Sequence, residues 1–210
     1  MFRNLFNPDS NLMITMSWIT DCIFLSLFWI LGCLPLITFG GVSAALYDAS
    51  FRGFRRGDKH CWGRFWTVFR NNWKQGIGPG IVYLCVFFLG CRGTIRLWNA
   101  AVYGQISWMV FSGGAFVGVV LLGVLNVMMP MLSRFDNSFG ALLRNTVLVA
   151  LGNLPGTLVV GFLSAGAVVL SARLVFPVFF LPCLTALISS LFIEPMFRPY
   201  MNESSEDAAV

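Results

Sequence analysis

The sequence predicts an all-α protein that crosses a membrane several times. Its 210 residues are 57% hydrophobic and 11% charged, whereas soluble domains carry about 25% charged residues. The mean hydropathy is +0.77, and the apolar residues fall in runs of about 20, the length that crosses a bilayer as a helix. Polar residues are too few to cover a water-exposed surface, so these observations exclude a soluble globular domain. The same apolar content excludes a disordered chain.

Five stretches are long and apolar enough to be transmembrane helices. Within a single helical domain of residues 1–200, we predict spans at residues 12–38, 76–98, 106–131, 146–172 and 174–197. Pro35 and Gly40 interrupt the first span near its end, so a re-entrant or broken element is the alternative there. Residues 201–210 are polar and acidic, and we predict a short disordered tail.

The arginines and lysines orient these spans, because cytoplasmic loops of membrane proteins carry an excess of both. They cluster after the first, the third and the fifth predicted span. If these three segments are cytoplasmic, ten of the 14 basic residues lie inside: Arg52, Arg55, Arg56, Lys59, Arg64, Arg70, Lys74, Arg134, Arg144 and Arg198. Five spans then put the N-terminus outside and the C-terminus inside.

Two amphipathic helices are predicted on the cytoplasmic side, at residues 58–74 and 134–145. In the first, five aromatic residues repeat at the spacing of one helical face, and basic residues occupy other faces. The aromatic residues are Trp62, Phe65, Trp66, Phe69 and Trp73, and the basic ones include Arg70 and Lys74. Such a helix lies in the membrane interface or docks a cytoplasmic partner, and both alternatives remain open.

Similar features flank the two amphipathic helices, which suggests an internal repeat of span, amphipathic helix and span. In each helix an aromatic residue precedes an Arg-Asn pair by five residues, and a proline follows the pair. The first copy has Phe65, Arg70, Asn71 and Pro79, and the second has Phe139, Arg144, Asn145 and Pro155. With so few matched positions, chance similarity is the alternative. Parallel repeats of this kind occur in transporters.

Asp21 is an acidic residue well within a predicted span. A charged side chain there costs at least about 2.5–3.5 kcal/mol by insertion scales, so it is expected to face protein or a cavity. We consider a proton or cation site, an ion-pair partner for Arg92 or Arg96, and a structural acid near the membrane surface.

No residue pattern indicates an enzyme, a metal site or a cofactor site. His60 is the single histidine, and the six cysteines include no C-x-x-C pair, so the usual metal-ligand spacings are absent from the sequence. The glycine-rich phosphate loops and the nucleophile elbow are absent too. We therefore predict a non-enzymatic protein without a cofactor. Because the basic residues border apolar spans, we expect no nucleic-acid partner.

Short motifs spread over most of the chain resemble the YesL-like family of bacterial integral membrane proteins, a domain-of-unknown-function family. The most specific are Pro35-Leu36-Ile37-Thr38-Phe39-Gly40 and Arg134-Phe135-Asp136-Asn137, and further ones are Asn72-Trp73-Lys74-Gln75 and Asn153-Leu154-Pro155. The resemblance implies a multi-pass protein of the bacterial cytoplasmic membrane with about five helices. Through gene association it also implies an accessory role beside carbohydrate importers of the ATP-binding cassette (ABC) type.

Our hypothesis for function is an accessory component for carbohydrate uptake by an ABC importer, and a small stand-alone transporter or channel is the alternative. The expected partners are the lipid bilayer, importer subunits or a second copy of the chain. The candidate functional or structural residues are Asp21, Pro35, Thr38, Gly40, Trp62, Phe65, Trp66, Phe69, Arg70, Trp73, Lys74, Arg92, Arg134, Asp136 and Asn137.

Overall fold

The protein forms a bundle of α-helices, shown by a computed structural model that describes residues 11–55, 60–135, 138–174 and 176–207. Within these ranges there are seven α-helices and no strand, so the predicted all-α fold is confirmed. The helices are α1 (Asn11–Cys33), α2 (Phe39–Ser50), α3 (Cys61–Val102), α4 (Trp108–Arg134), α5 (Phe139–Gly152), α6 (Leu154–Arg173) and α7 (Leu181–Asp207). A π-helical segment (Phe51–Arg55) extends α2, and a 3-10 turn (Phe176–Phe179) precedes α7.

In the described part of the chain, four helices are long and apolar enough to cross a membrane: α1, α3, α4 and α6. Each overlaps one of the predicted spans. Helix α7 occupies the fifth predicted span, and its apolar part, Leu181–Phe197, is shorter than the other four. It continues to Asp207 and so includes the first residues of the predicted tail. These helices are those of a multi-pass membrane protein.

Helix α3 joins two elements that the sequence analysis treats as separate. Residues 61–74 of the predicted amphipathic helix 58–74 and the whole predicted span 76–98 lie in one helix of 42 residues, which continues through Pro79. At 1.5 Å per residue this helix is about 63 Å long, twice the thickness of a bilayer's hydrocarbon core. The helix does not end at the glycines near Pro79. Two of them, Gly76 and Gly80, lie at a close contact with α2.

That contact joins α2 to α3. A Cβ atom added to Gly80 would lie 2.7 Å from the backbone nitrogen of Gly40, and one added to Gly76 would lie 2.5 Å from that of Gly41. Such distances are too short for a real side chain. The two backbones therefore touch through paired glycines, which is the close approach that small residues permit between membrane helices.

Helices α1 and α2 form an antiparallel hairpin. Near its turn, Trp29 Nε1 donates a hydrogen bond to Ser43 Oγ over 3.0 Å. At its open end, the ring of Trp18 packs edge-on against Phe54 with centroids 6.1 Å apart. The helix is broken within the predicted span 12–38, since α1 ends at Cys33 and α2 begins at Phe39. The early part of α1 lies at the same end of the bundle as the basic segment after α2.

The second amphipathic helix also has different bounds from those predicted. Helix α5 runs to Gly152, whereas the predicted amphipathic helix ends at residue 145 and the next predicted span begins at 146. The break occurs at Asn153, and Pro155 lies in the first turn of α6. The Thr157 hydroxyl donates to the Ala150 carbonyl over 2.8 Å, which satisfies an acceptor near the end of α5.

Candidate functional site

A buried carboxylate lies at the end of α2. Asp48 is 1% exposed, and each of its oxygens accepts from an arginine. Arg52 Nε lies 3.0 Å from Asp48 Oδ1, and Arg64 Nε lies 2.8 Å from Asp48 Oδ2. Arg52 is four residues ahead on the π-helical segment and Arg64 is in the first turns of α3, so one carboxylate joins three consecutive elements.

A second carboxylate, Glu194 of α7, extends this group. Its Oε1 accepts from Arg134 Nη2 over 2.6 Å and from the Tyr47 hydroxyl over 3.2 Å. Burial raises the pKa of the Tyr47 hydroxyl, and the nearby Glu194 carboxylate raises that pKa further, so the hydroxyl remains a donor. Arg134, at the end of α4, thereby ties α7 to the carboxylate group.

Arg134 also bridges the two carboxylates. Its Nε lies 3.8 Å from Asp48 Oδ1, too far for a hydrogen bond. Among the buried side-chain nitrogen and oxygen atoms of the described residues, Arg134 Nε is the one without a hydrogen bond. The guanidinium carbon of Arg134 lies 4.8 Å from the centroid of the Phe51 ring, a distance typical of a cation–π contact.

A fourth arginine completes what we term the Asp48 cluster: Tyr47, Asp48, Phe51, Arg52, Arg55, Arg64, Arg134 and Glu194. Arg55 Nη1 donates to the Ser190 carbonyl over 3.3 Å, and its guanidinium carbon lies 5.6 Å from the Phe51 ring centroid. The cluster therefore links α2, α3, α4 and α7. Its four guanidinium groups face two carboxylates, which leaves it positively charged.

The Asp48 cluster holds helices in place through ion pairs between buried and half-buried side chains. Removing one member of a buried ion pair costs about 3–5 kcal/mol, because the partner is left buried and uncompensated. In the described residues, no three histidine, cysteine or acidic side chains are grouped as a metal site would require.

A cavity of about 340 Å³ lies beside the cluster. Helices α1, α2, α3, α4, α6 and α7 contribute to its wall, and Tyr47 belongs to both the cavity and the cluster. Its polar lining is Ser43, Asn126, Ser164, Ser171, Thr185 and Ser189, and its aromatic lining is Trp29, Phe39, Tyr47 and Tyr83.

Asp21 lies near the start of α3 and far from the arginines considered as its partners. Its Oδ1 accepts from Trp62 Nε1 over 3.0 Å. Arg92 is 30 residues further along α3, about 45 Å at the helical rise. The pairing of Asp21 with Arg92 or Arg96 is therefore wrong, because 30 residues of α3 separate Arg92 from Trp62, which Asp21 contacts.

The predicted aromatic face of α3 divides into a buried and an exposed part. Phe65 is 4% exposed and packs in the core with Leu25 and Ala45, and Phe69 packs against the same core. The exposed members of the aromatic face are Trp62, Trp66 and Trp73, and the basic Arg70 and Lys74, predicted on other faces, are exposed as well. We term these five residues the basic–aromatic face.

The remaining predicted residues lie in three places. Pro35 and Thr38 form the α1–α2 turn, where the Thr38 hydroxyl donates to the Gly32 carbonyl, and Gly40 forms the α2–α3 contact. Arg92 is exposed on the second half of α3. Asp136 and Asn137 lie outside the described residues.

Sequence reasoning found Arg134 but missed Asp48, Glu194 and Tyr47. Two signals were present. Asp48 precedes Arg52 by four residues, the spacing of a helical ion pair, and Glu194 interrupts the apolar run Leu181–Phe197. An acid in such a run is expected to have a buried partner.

These features define a class: a multi-pass helical membrane protein with a buried ion-pair cluster at one end of its bundle. A family model described as "Protein of unknown function, DUF624" matches residues 22–91, and this is the family to which YesL belongs. The matched segment contains Asp48, Arg52 and Arg64, together with the glycines of the α2–α3 contact. No curated protein and no solved structure matches the chain.

Proposed function

We propose that this membrane protein is a non-enzymatic accessory component for carbohydrate uptake by an ABC importer. The observation that carries the proposal is the basic–aromatic face of α3. Trp62, Trp66 and Trp73 are 41%, 61% and 40% exposed, and the Lys74 ammonium lies 5.6 Å from the Trp73 ring centroid. Tryptophan and cationic side chains together are typical of surfaces that bind protein partners.

The Asp48 cluster supports this role because it holds the face rigidly. Arg64 lies on the same helical segment and is bound to the buried Asp48 carboxylate. A preformed surface loses less conformational freedom on binding than a mobile one. Since α3 is about twice as long as the hydrocarbon core is thick, part of it extends beyond the bilayer, and we place its basic first half in the cytoplasm.

Affinity purification of the full chain in a mild detergent free of sugar groups tests this role. Importer subunits should co-purify with the wild type and be lost with Arg70→Glu. Arg92→Glu is the control, since Arg92 is an exposed arginine on the other half of α3. Failure to recover any importer subunit, together with unchanged sugar uptake in a deletion strain, would contradict the proposal.

The cavity favours a second candidate, a small stand-alone transporter or channel. Polar groups between membrane helices are where transporters hold their solutes. Purified protein in liposomes should then pass a neutral solute, and filling the cavity with Ala167→Phe should stop the flux. If a broad panel of solutes shows no flux above that of empty liposomes, this candidate is removed.

We also propose an orientation that differs from the one expected from five spans. With the basic segments in the cytoplasm, the contacts of Trp18 with Phe54 and of Asp21 with Trp62 favour a cytoplasmic N-terminus. The C-terminus stays inside. A tag at the N-terminus should be cleaved by protease in inside-out vesicles and protected in intact cells. Cleavage from outside intact cells would restore the original orientation.

A further inference from the structure

We infer that the cavity beside Tyr47 is a binding site for an uncharged small molecule with several hydroxyl groups, a single sugar ring or a polyol. Its volume of about 340 Å³ lies at the lower end of the roughly 300–1,000 Å³ that small-molecule sites occupy. Both proposed functions are compatible with such a ligand, so the inference goes beyond them and depends on neither.

Helices α6 and α7 each present two hydroxyl groups to the cavity from one helical face. Ser164 and Ser171 of α6 are seven residues apart, and Thr185 and Ser189 of α7 are four apart. Both spacings place the side chains on one face of a helix. Ala167 lies between the two serines of α6, and its small side chain leaves the space open.

The hydroxyl groups retain hydrogen-bonding capacity. Within the part of the chain that the structure describes, no hydrogen bond is formed by the side chains of Ser171 and Ser189, although Ser189 is only 6% exposed. Ser164 and Thr185 donate to backbone carbonyls at 2.8 and 2.9 Å, so their oxygens still accept. Both serines line the cavity and neither oxygen is fully enclosed by protein, so a ligand with hydroxyl groups can bond to each.

An aromatic wall lies on the α1–α3 side of the cavity. The rings of Phe39 and Tyr83 are 4.9 Å apart, and those of Trp29 and Phe39 are 6.1 Å apart. The hydrogen bond from Trp29 to Ser43 fixes the indole in place. A sugar ring or cyclic polyol has an apolar C–H face for such a wall and hydroxyl groups for the opposite helices. Apolar lining with a few placed polar groups is typical of small-molecule sites.

The residues that line the cavity favour an uncharged ligand. None of the residues that line the cavity in the described chain is acidic or basic. The nearest carboxylate, Glu194, already accepts from Arg134 and Tyr47. A charged ligand would therefore be desolvated without a counter-ion, which is strongly unfavourable. A bare acyl chain fits less well, since it would leave the hydroxyls of Ser171 and Ser189 without partners.

Direct binding to the full chain in nanodiscs tests the inference, without sugar-based detergents that would occupy the site. The probes are tritiated glucose, competed by galactose, myo-inositol, glucuronate, glucosamine and decanol. At least one neutral probe should bind, and the charged sugars should compete at least tenfold more weakly. The double variant Ser171→Ala/Ser189→Ala should weaken binding about tenfold, and Ala167→Phe should abolish it.

Ser112→Ala is the matched control, because this exposed serine of α4 bonds only to its own helix; its affinity should equal that of the wild type. If Ala167→Phe does not fold, the binding measured for Ser171→Ala/Ser189→Ala still tests the inference. The inference is overturned if no neutral probe binds, if charged and neutral sugars compete equally, or if decanol alone displaces. Because the assay contains no importer, these results are separate from those of the affinity purification.

Discussion

The two halves of α3 lie in one continuous helix, yet different interactions hold them. The first half is bound by polar and backbone contacts: Trp62 to Asp21, Arg64 to Asp48, and Gly76 to Gly41. The second half makes few such contacts. Gly90 has no neighbouring atom where a Cβ would be, and large apolar side chains are exposed there, among them Phe88, Leu89, Ile95 and Trp98.

The first half of α3 is held by contacts with other parts of the protein, whereas the second half is mostly surrounded by lipid. Exposed apolar side chains are compatible with lipid tails, and lipid provides no hydrophobic force between helices. Beyond Tyr83, which packs on Phe39 of α2, the second half of α3 therefore needs mainly apolar side chains and the neighbour α4. It meets α4 through Trp98 and Trp108, with ring centroids 5.7 Å apart. The first half needs particular residues, so substitutions should affect it much more.

The largest effect is expected for Asp48→Ala. It removes a carboxylate that is 1% exposed and leaves Arg134 without one of its counter-ions. Loss of one partner of a buried ion pair destabilises by about 3–5 kcal/mol, and the partial exposure of Arg52 and Arg64 favours the lower value. Unfolding by SDS titration in mixed micelles measures the change.

Arg92→Gln is the control for that substitution on the second half of α3. It also removes one charge, but Arg92 lies on the lipid-facing half and has no ion pair among the described residues, so the free energy of unfolding should stay constant or rise. Equal losses from the two variants would show that the two halves do not differ in the proposed way.

A smaller loss is expected for Gly40→Ala. The added methyl group would meet the backbone carbonyl of Gly76, and backbone cannot move aside as a flexible side chain can. Overpacking of this kind costs about 1–3 kcal/mol. The matched control is Gly63→Ala, which adds the same atoms where no neighbour lies within 4 Å. A Gly40→Ala protein as stable as this control would exclude a tight α2–α3 contact.

The fold class could be predicted from the sequence because composition and apolar run length determine it directly. The continuation of α3 through Pro79 could not be predicted in this way. Pro79 and Pro155 each follow the Arg-Asn pair of the suggested repeat, yet the helix continues through the first and breaks just before the second. The difference depends on neighbours, since the glycines around Pro79 contact α2, whereas Thr157 bonds back across the break to Ala150. Neither the glycine contact nor this hydrogen bond can be predicted from the residues next to the prolines.

The site was predictable only in part for the same reason. The spacing of Trp62, Trp66 and Trp73 gives a helical face without any knowledge of neighbours, and the structure shows these side chains exposed. The Asp48 cluster depends on α7 reaching α2 across more than 140 residues of chain, as in the bond between Tyr47 and Glu194. No periodicity encodes such a contact, so Arg134 could be chosen only as a member of a motif.

A modest effect is expected for Trp62→Phe. The phenyl ring retains the packing on Phe24, whose ring centroid is 4.7 Å away, but loses the Nε1 donor to Asp21. One hydrogen bond of this kind contributes about 0.5–1.5 kcal/mol, and exposure to solvent favours the lower end. A double-mutant cycle with Asp21→Ala, which removes the acceptor, isolates this coupling energy. A coupling near zero would mean that the α1 contact does not help to hold the first half of α3.

The smallest effect, with the opposite sign, is expected for Gly90→Ala. The position has room for a methyl group, and alanine restricts the unfolded chain more than glycine does, which favours a helix by up to about 1 kcal/mol. The free energy of unfolding should therefore rise slightly or stay constant in the same SDS titration. A loss as large as that of Gly40→Ala would reveal a partner at Gly90. The second half of α3 would then be held by protein contacts rather than by lipid.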